Sequence, residues 1–457
     1  MVGGSVGRSA GALARGVSES VGGLPRAFWW LWTSTLINRL GSFVTTFLAL
    51  YLTVDRGYSA SYAGLVGSLY GAGGVVASIG GGVLTDRLGR RPTLLLSQLL
   101  TAASVAALSL VTHPVAIAAV AGVVGMATNA SRPAVQAMIA DIVAPQDRVR
   151  ALALNFWAVN LGFAVSSAAA GFIAQFSYHV LFFSEAAMVL VCAIVVFVKL
   201  PESRPERPAP GRPDARRRPE DADERPVSLG TVLRDGRFMA VVGLSLLVAV
   251  LIQQAFVAMP ITMGEQGFSS SDFGTAIAVN GLLIVLIQLP VTRFVERRDP
   301  LRALVCSSLL IGAGFGLNAF AGSVPFFAFA VVVWTVGEVI NTPTQMGLVV
   351  RLSPVHGRGR YQGMFSMSWA AANLAAPLVA GWIIDRFGSA TLWSASAVLG
   401  AVAATGYALL RRATGDALSA PTARGLPDGA ARAAADPGPA QDSPALHTAD
   451  EGRPSTS

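Results

Sequence analysis

Twelve long apolar runs occupy most of this chain, and each is long enough to cross a lipid bilayer as a helix, since a crossing takes roughly 20 apolar residues. Only 13% of the residues are charged, against about 25% in a typical soluble domain. The runs lack the alternating pattern of a membrane β-barrel. The sequence therefore predicts an all-α membrane protein with twelve spans, at approximately 28–52, 61–84, 92–112, 115–135, 151–175, 179–199, 238–262, 273–292, 301–321, 325–350, 361–384 and 390–411.

Arginine residues lie almost entirely on one side of the predicted spans, the side that also carries both termini. The opposite side keeps only Arg56 and Arg386. Because cytoplasmic loops are enriched in Lys and Arg, the pattern predicts a multi-pass protein of a bacterial-type cell membrane with both termini in the cytoplasm. The same pattern explains the net charge of +8 as a topological signal, which argues against a nucleic-acid partner.

A polar segment rich in Arg and Pro, residues 201–237, divides the chain into two halves. We predict a cytoplasmic linker there, with six-helix bundles at 26–200 and 238–412. Residues 1–25 and 413–457 are rich in Gly, Ala, Pro and Ser and predict disordered cytoplasmic tails.

The two halves share a sequence pattern. The stretch that begins at Arg132 and the one that begins at Thr342 each contain a Pro followed by a Gln, a second Pro and an Arg-x-Arg pair. A duplicated bundle explains this pattern, although a chance match in an Ala- and Gly-rich chain is the alternative. Two pseudo-symmetric bundles can rock about a central site and expose it to each membrane face in turn.

A short charged loop separates the second and third spans. Its residues Gly82, Leu84, Asp86, Arg87, Gly89, Arg90, Arg91 and Pro92 match the pattern G-x-L-x-D-R-x-G-R-R-P. This loop resembles the signature of the major facilitator superfamily, and the resemblance covers roughly residues 26–412. Among its branches the chain most resembles the twelve-helix drug:proton antiporters, but its fifth span keeps only a small-residue remnant of their G-x-x-x-G-P-x-x-G-G motif and lacks the Pro.

The resemblance implies that the charged loop is a gate that latches the two halves in one state. Glycines let helix ends approach closely, Asp86 can accept from a helix N-terminus, and the arginines can pair with a carboxylate, for which Asp141 is the first candidate. A purely topological basic loop is the alternative. The candidate gating residues are Gly82, Asp86, Arg87, Gly89, Arg90, Arg91 and Asp141.

Ionisable residues inside a span are candidates for function because placing them in lipid is costly. Glu338 is the first candidate for proton coupling, since desolvation favours a neutral carboxyl group and a nearby arginine favours the charged one. Arg39, roughly 17 Å deep in the first span, could bind an anionic substrate or hold that carboxylate. Glu185, near the outer face, is the second candidate for protonation. Permanent structural pairing is the alternative for each.

Amide side chains complete the predicted substrate cavity: Asn38, Gln253, Gln254 and Asn341. They could bind a substrate or only join helices. Arg132 is placed near the cytoplasmic end of the fourth span, where it can snorkel.

These features predict a secondary transporter, foremost a proton-coupled exporter of a hydrophobic, drug-like small molecule. Uptake or facilitated transport of a nutrient is the alternative, and a non-transporting membrane sensor or a membrane enzyme are others. No ATP-binding loop and no His/Cys cluster occurs in the sequence, so we predict no cofactor, no metal and no enzymatic activity. The expected partners are the substrate, protons and membrane lipid, with no obligate protein partner.

Overall fold

The computed structural model describes residues 23–203, 228–295, 298–354 and 357–415. Within these residues twelve helical spans are long and apolar enough to cross a membrane, as predicted, and there is no β-strand. Most of both predicted tails and of the predicted linker lies outside the described residues. We call the membrane side where residues 201–203 emerge the linker side, and the opposite side the far side.

The first six spans form one bundle, in which a π-helical turn, Tyr51–Asp55, extends the second helix. Its helices are α1 (Arg26–Leu40), α2 (Val44–Leu50), α3 (Ala60–Leu88), α4 (Arg90–Leu110), α5 (Pro114–Ile142), α6 (Arg148–Ala174) and α7 (Tyr178–Lys199). Helix α5 packs against α3 and α4, α7 packs against α4, and α1 packs against α6 and α7.

The last six spans form the second bundle, preceded by a short surface helix. Its helices are α8 (Leu229–Arg234), α9 (Gly236–Gln253), α10 (Ala258–Glu265), α11 (Ser270–Val295), α12 (Pro300–Leu317), α13 (Val324–Leu352), α14 (Arg358–Phe387) and α15 (Ser389–Thr414). Helix α12 packs against α13 and α15, α11 against α13, and α9 against α14 and α15.

Two seams, α3 against α14 and α6 against α11, join the bundles. Small residues let the backbones approach closely: a Cβ atom added at Gly274 of α11 would lie 2.9 Å from the Cα atom of Gly171 of α6. Phe47 of α2 and Phe273 of α11 stack edge to face across the same boundary, with centroids 5.3 Å apart. These contacts occupy the far half of the molecule.

Two spans predicted as continuous are broken. The first stops at Leu40 and resumes at Val44, where the amides freed by the break bind a side chain of α7. The seventh is interrupted between Gln253 and Ala258, because Pro260 lacks an amide hydrogen and its ring clashes with the carbonyl group of a preceding turn.

The fourth span is longer than predicted. The prediction ended it at 135, close to a proline, whereas α5 continues through Pro133 to Ile142. A proline inside a membrane helix is tolerated where neighbouring groups satisfy the freed carbonyl. Arg132 therefore lies ten residues before the end of α5, about 15 Å from it, and its predicted position near the end is wrong.

Candidate functional site

A cavity of about 280 Å³ lies inside the first bundle, between α1, α4, α5 and α6. Its apolar wall is formed by Leu31, Leu94, Val135 and Val159. Its polar wall is formed by Ser34, Thr35, Asn38, Arg39, Gln98, Ser131, Arg132 and Asn155. None of the described acidic residues lines it, and we call it the arginine cavity.

Arg39 and Arg132 stand at similar depth in this cavity. Arg39 lies thirteen residues after the start of α1, about 20 Å along the helix axis. Neither guanidinium group has an ion pair or a hydrogen bond to any other described residue. Arg39 and Arg132 line the same cavity, so two charges of the same sign share it.

Two amide side chains in the wall have unused acceptors. Gln98 of α4 is only 5% exposed, and neither its Oε1 atom nor the Oδ1 atom of Asn155 in α6 has a hydrogen-bond partner. Asn38, predicted as a cavity residue, lines the same space. The arginine cavity thus offers two cationic donors and two free acceptors beside an apolar wall.

Glu338 lies in α13 of the second bundle, partly buried. Its Oε2 atom accepts a hydrogen bond from Nδ2 of Asn280 in α11 at 2.9 Å, and the same amide donates to Oγ1 of Thr335 at 3.0 Å. Arg39 makes no ion pair with Glu338. The carboxyl group therefore has an amide partner on the neighbouring helix but no cationic partner among the described residues.

Glu185 occupies a different environment from the one predicted. It is 4% exposed, and its Oε2 atom accepts the backbone N–H groups of Phe43 at 2.9 Å and Val44 at 2.7 Å. The carboxylate caps the N-terminus of α2 at the break in the first span. Its predicted proximity to water is wrong, because the seven-residue helix α2 folds over it.

The predicted amide ligands of the second bundle are mostly structural. Asn341 is fully buried, and its Nδ2 atom donates to Oγ of Ser307 in α12 at 2.8 Å, so it joins two helices rather than lining a cavity. Gln254 is 3% exposed and donates to the carbonyl oxygen of Val250 at 3.0 Å. Gln253 is partly exposed beside the break in the seventh span.

The charged loop forms a compact set of contacts on the linker side. Nε of Arg90 donates to Oδ2 of Asp141 at 2.8 Å. The carboxylate of Glu202, just after α7, accepts the backbone N–H groups of Arg90 at 2.9 Å and Arg91 at 3.2 Å, and so caps α4. Gly89 has φ of +108°, a conformation that favours glycine.

Other parts of the loop differ from the prediction. A methyl group added at Gly82 would meet open space, so no close helix approach needs a glycine there. The side chain of Asp86 is 78% exposed and lies 3.9 Å from Nη1 of Arg90, without a bond to a helix N-terminus. Arg87 is exposed as well. Between described residues, the hydrogen bonds and ion pairs of this loop stay within the first bundle.

The bundles are instead latched on the far side. Asp385, at the end of α14, accepts the backbone N–H groups of Ala60 at 3.0 Å and Ser61 at 2.7 Å at the start of α3. Tyr178 and Ser270 share a hydrogen bond of 2.8 Å between their hydroxyl groups. Between described residues, every hydrogen bond that joins the two bundles lies in the far half, so the far side is closed.

Two residues that the structure places at the far-side latch and in the cavity wall, Asp385 and Gln98, are absent from the predicted site. Asp385 begins the segment Asp-Arg-Phe-Gly, which echoes the Asp-Arg-Leu-Gly of residues 86–89, and both glycines have positive φ; this repeat is a signal that could have found it. Gln98 has no such signal, because only packing decides which face of α4 meets the cavity. Across the described residues no group of three His, Cys, Asp or Glu side chains could hold a metal ion.

Comparison with known proteins gives consistent results. The chain matches the family model described as Major Facilitator Superfamily over residues 31–377 and 242–437. It is 27% identical to the uncharacterized MFS-type transporter YttB of Bacillus subtilis over 80% of this chain and 90% of that protein. It is 24% identical to the multidrug resistance protein MdtH of Aeromonas hydrophila (84% and 94% covered) and 27% identical to the class C tetracycline resistance protein of Escherichia coli (73% and 82%).

Solved structures share the fold at low sequence identity. A POT family transporter in complex with 5-aminolevulinic acid gives a TM-score of 0.73 at 15% identity, with 86% of this chain and 98% of that chain covered. A D-xylose-proton symporter gives 0.65 at 15% identity, with 83% and 96% covered.

Proposed function

This chain belongs to the Major Facilitator Superfamily, and from that premise we propose that it exports a drug-like small molecule across the cell membrane in exchange for protons. The family and the fold indicate a transporter rather than an enzyme. The names of two relatives, a multidrug resistance protein and a tetracycline resistance protein, support export. The arginine-rich linker side is then cytoplasmic, with both termini on that side.

The observation that carries the proton-coupling proposal is the environment of Glu338. A carboxylate in low dielectric without a counter-ion is unfavourable, so binding a proton relieves it. Asn280 can keep its bond to Oε2 in both protonation states, because a neutral carboxyl group retains an acceptor oxygen. Glu338 can therefore gain and lose a proton while its partner helix stays in contact.

The closed far side supports the second part of the proposal, a transport cycle in which the two membrane faces open in turn. Asp385 and the two seams hold the bundles together there, whereas the contacts of the linker-side loop with other described residues lie within its own bundle. Export further requires that the space between the bundles opens toward the linker side, where a cytoplasmic compound enters. The reverse state requires the contacts of Asp385 with Ala60 and Ser61 to break and linker-side contacts to form, for which the exposed Asp86 is available.

Uptake or facilitated transport is the second candidate function. It is favoured by α6, which lacks the proline of the antiporter motif throughout Arg148–Ala174. The direction of proton-driven flux separates the two candidates.

The experiment uses the full chain in proteoliposomes with an imposed pH gradient and tetracycline as the probe. We expect protons moving down their gradient to drive the probe the opposite way, and Glu338→Gln to abolish this flux while downhill exchange continues, since Gln keeps an acceptor for Asn280. Asp55→Asn, at an exposed far-side position of the first bundle, is the control. Unchanged gradient-driven flux in Glu338→Gln contradicts the assignment of the proton site, and flux in the same direction as protons contradicts export.

A further inference from the structure

We propose that the arginine cavity binds an organic anion, so that the transported compound carries a carboxylate or a similar acidic group on an apolar body. This proposal names the substrate class of the proposed transporter, and it rests on the proposed function only in treating the bound anion as the transported substrate. The site is separate from Glu338, which lies in the other bundle.

The first argument is the charge of the cavity. Arg39 and Arg132 both line it, their mutual effect is repulsive, and no carboxylate among the described residues pairs with either. Basic residues that set topology lie in loops and at helix ends, whereas these two lie about 20 Å and about 15 Å from the linker-side ends of their helices. An anion bound between them removes the repulsion and can accept from both guanidinium groups.

The second argument is the unsatisfied polar wall. Buried acceptors in proteins are nearly always hydrogen-bonded, yet Oε1 of Gln98 has no partner although its side chain is 95% buried, and Oδ1 of Asn155 has none either. Both line the cavity. They are placed to accept from an N–H or O–H group of a ligand whose acidic group is held by the arginines.

The third argument is the remainder of the wall. Leu31, Leu94, Val135 and Val159 form its apolar part, and a cavity of about 280 Å³ suits a compound of one or two rings. An inorganic anion leaves this apolar surface unused. The combination selects an amphipathic acid with a hydrogen-bond donor near the acidic group, such as a hydroxy-aryl or indolyl carboxylate.

The test compares acids with their own amides, which have the same shape but no charge. The probes are salicylate, indole-3-acetate and 1-naphthaleneacetate with the corresponding amides, titrated calorimetrically into the full chain in phosphatidylcholine nanodiscs. We expect at least one acid to bind about tenfold or more tightly than its amide, as charge-assisted bidentate contacts predict. Arg39→Gln and Arg132→Gln should each abolish the preference for the acid, and Arg39→Lys should keep part of it. Arg293 is an exposed linker-side arginine of the second bundle, so Arg293→Gln should leave the preference unchanged.

Several outcomes overturn the proposal. It fails if no acid is preferred over its amide, or if the preference survives in Arg39→Gln. The thermal unfolding of each variant and its affinity for the uncharged amide probes show whether it is folded. If Arg39→Gln does not fold, Arg39→Lys supplies a variant that keeps the charge. Replacing part of the phosphatidylcholine by phosphatidylglycerol tests a lipid headgroup as occupant: Arg39-dependent stabilisation by that lipid, without acid binding, assigns the site to lipid and refutes a transported anion.

The proton proposal and the anion proposal can fail separately. Binding in nanodiscs needs no pH gradient, so Glu338→Gln should keep the acid preference. Unchanged proton-driven flux in Glu338→Gln, with the acid preference intact, refutes the proton site alone. If the native protein shows no preference for acids over their amides but still transports a neutral compound against protons, the anion site alone is refuted.

Discussion

Replacing Asp385 by Asn should weaken the far-side latch and shift the transporter toward a state open on that side. The native carboxylate accepts two backbone N–H groups at the start of α3, from Ala60 at 3.0 Å and Ser61 at 2.7 Å. Asn keeps one acceptor oxygen and no charge, so one bond is lost and the other becomes a neutral one. Both bonds join the second bundle to the first, so weakening them acts directly on the equilibrium between the state closed on the far side and the state open there.

The magnitude follows from these two bonds. Hydrogen bonds to a charged group contribute about 1.5–3 kcal/mol and neutral ones about 0.5–1.5 kcal/mol, and the charge gains about 0.3–1 kcal/mol from the helix N-terminus. Water can replace part of the lost interaction at this partly exposed end of the helix. We therefore expect a shift of about 1–3 kcal/mol, which is a factor of about 5–150 in the ratio of the two states.

Pulsed electron–electron double resonance measures this shift. Nitroxide labels at His113 and Ser323, exposed positions on far-side loops of the two bundles, report the opening in a chain whose Cys192 and Cys306 have been replaced. Asp385→Asn should populate longer distances. Asp272→Asn is the matched control, because Asp272 accepts from Ser269 at 2.9 Å within its own bundle. A native-like distance distribution in a folded Asp385→Asn protein would refute the latch.

Three further predictions follow from other contacts. Glu185→Ala leaves two buried amides without an acceptor at a cost of roughly 1–3 kcal/mol each, so the unfolding temperature in detergent should fall clearly; an unchanged temperature contradicts the capping role. Gly274→Ala inserts a methyl group 2.9 Å from a backbone carbon of α6 and should speed thiol labelling of Ser167→Cys, a buried seam position, in a chain without its native cysteines. Gly243→Ala, where the space is open, should not; equal labelling in both refutes the seam. Asp86→Asn should slow turnover and leave substrate affinity nearly unchanged, and a large affinity loss at normal turnover would contradict its role as a gate.

The sequence predicted what depends on local composition. Twelve apolar runs, the division into two bundles and the charged loop all follow from residues close together in the chain. The sequence also proposed Asp141 as the partner of one of the loop arginines, Arg87, Arg90 or Arg91, and the structure pairs it with Arg90 at 2.8 Å. In each case hydrophobicity or opposite charge at a helix end is enough to limit the possible arrangements.

The candidate site was less predictable because its residues meet through tertiary packing. Glu185 was placed from its distance to a helix end, but the break in the first span surrounds it with backbone. Asn341 was assigned to the cavity, but rotation of α13 points it at Ser307. Gln98 has no sequence signal at all, since a single glutamine in an apolar helix is equally compatible with lipid contact, helix joining or a cavity wall.

The bond between Glu185 and the break in the first span has a consequence for biosynthesis. The carboxylate and the amide of Phe43 are 142 residues apart in the chain, and ribosomes add about 5–20 residues per second. For roughly 7–30 s the nascent first span therefore has no cap for those amides. During that interval the segment must either stay an unbroken helix that kinks when the sixth span arrives, or be shielded by the insertion machinery. Pulse-labelled truncations that end before and after residue 185 would separate these two orders of assembly.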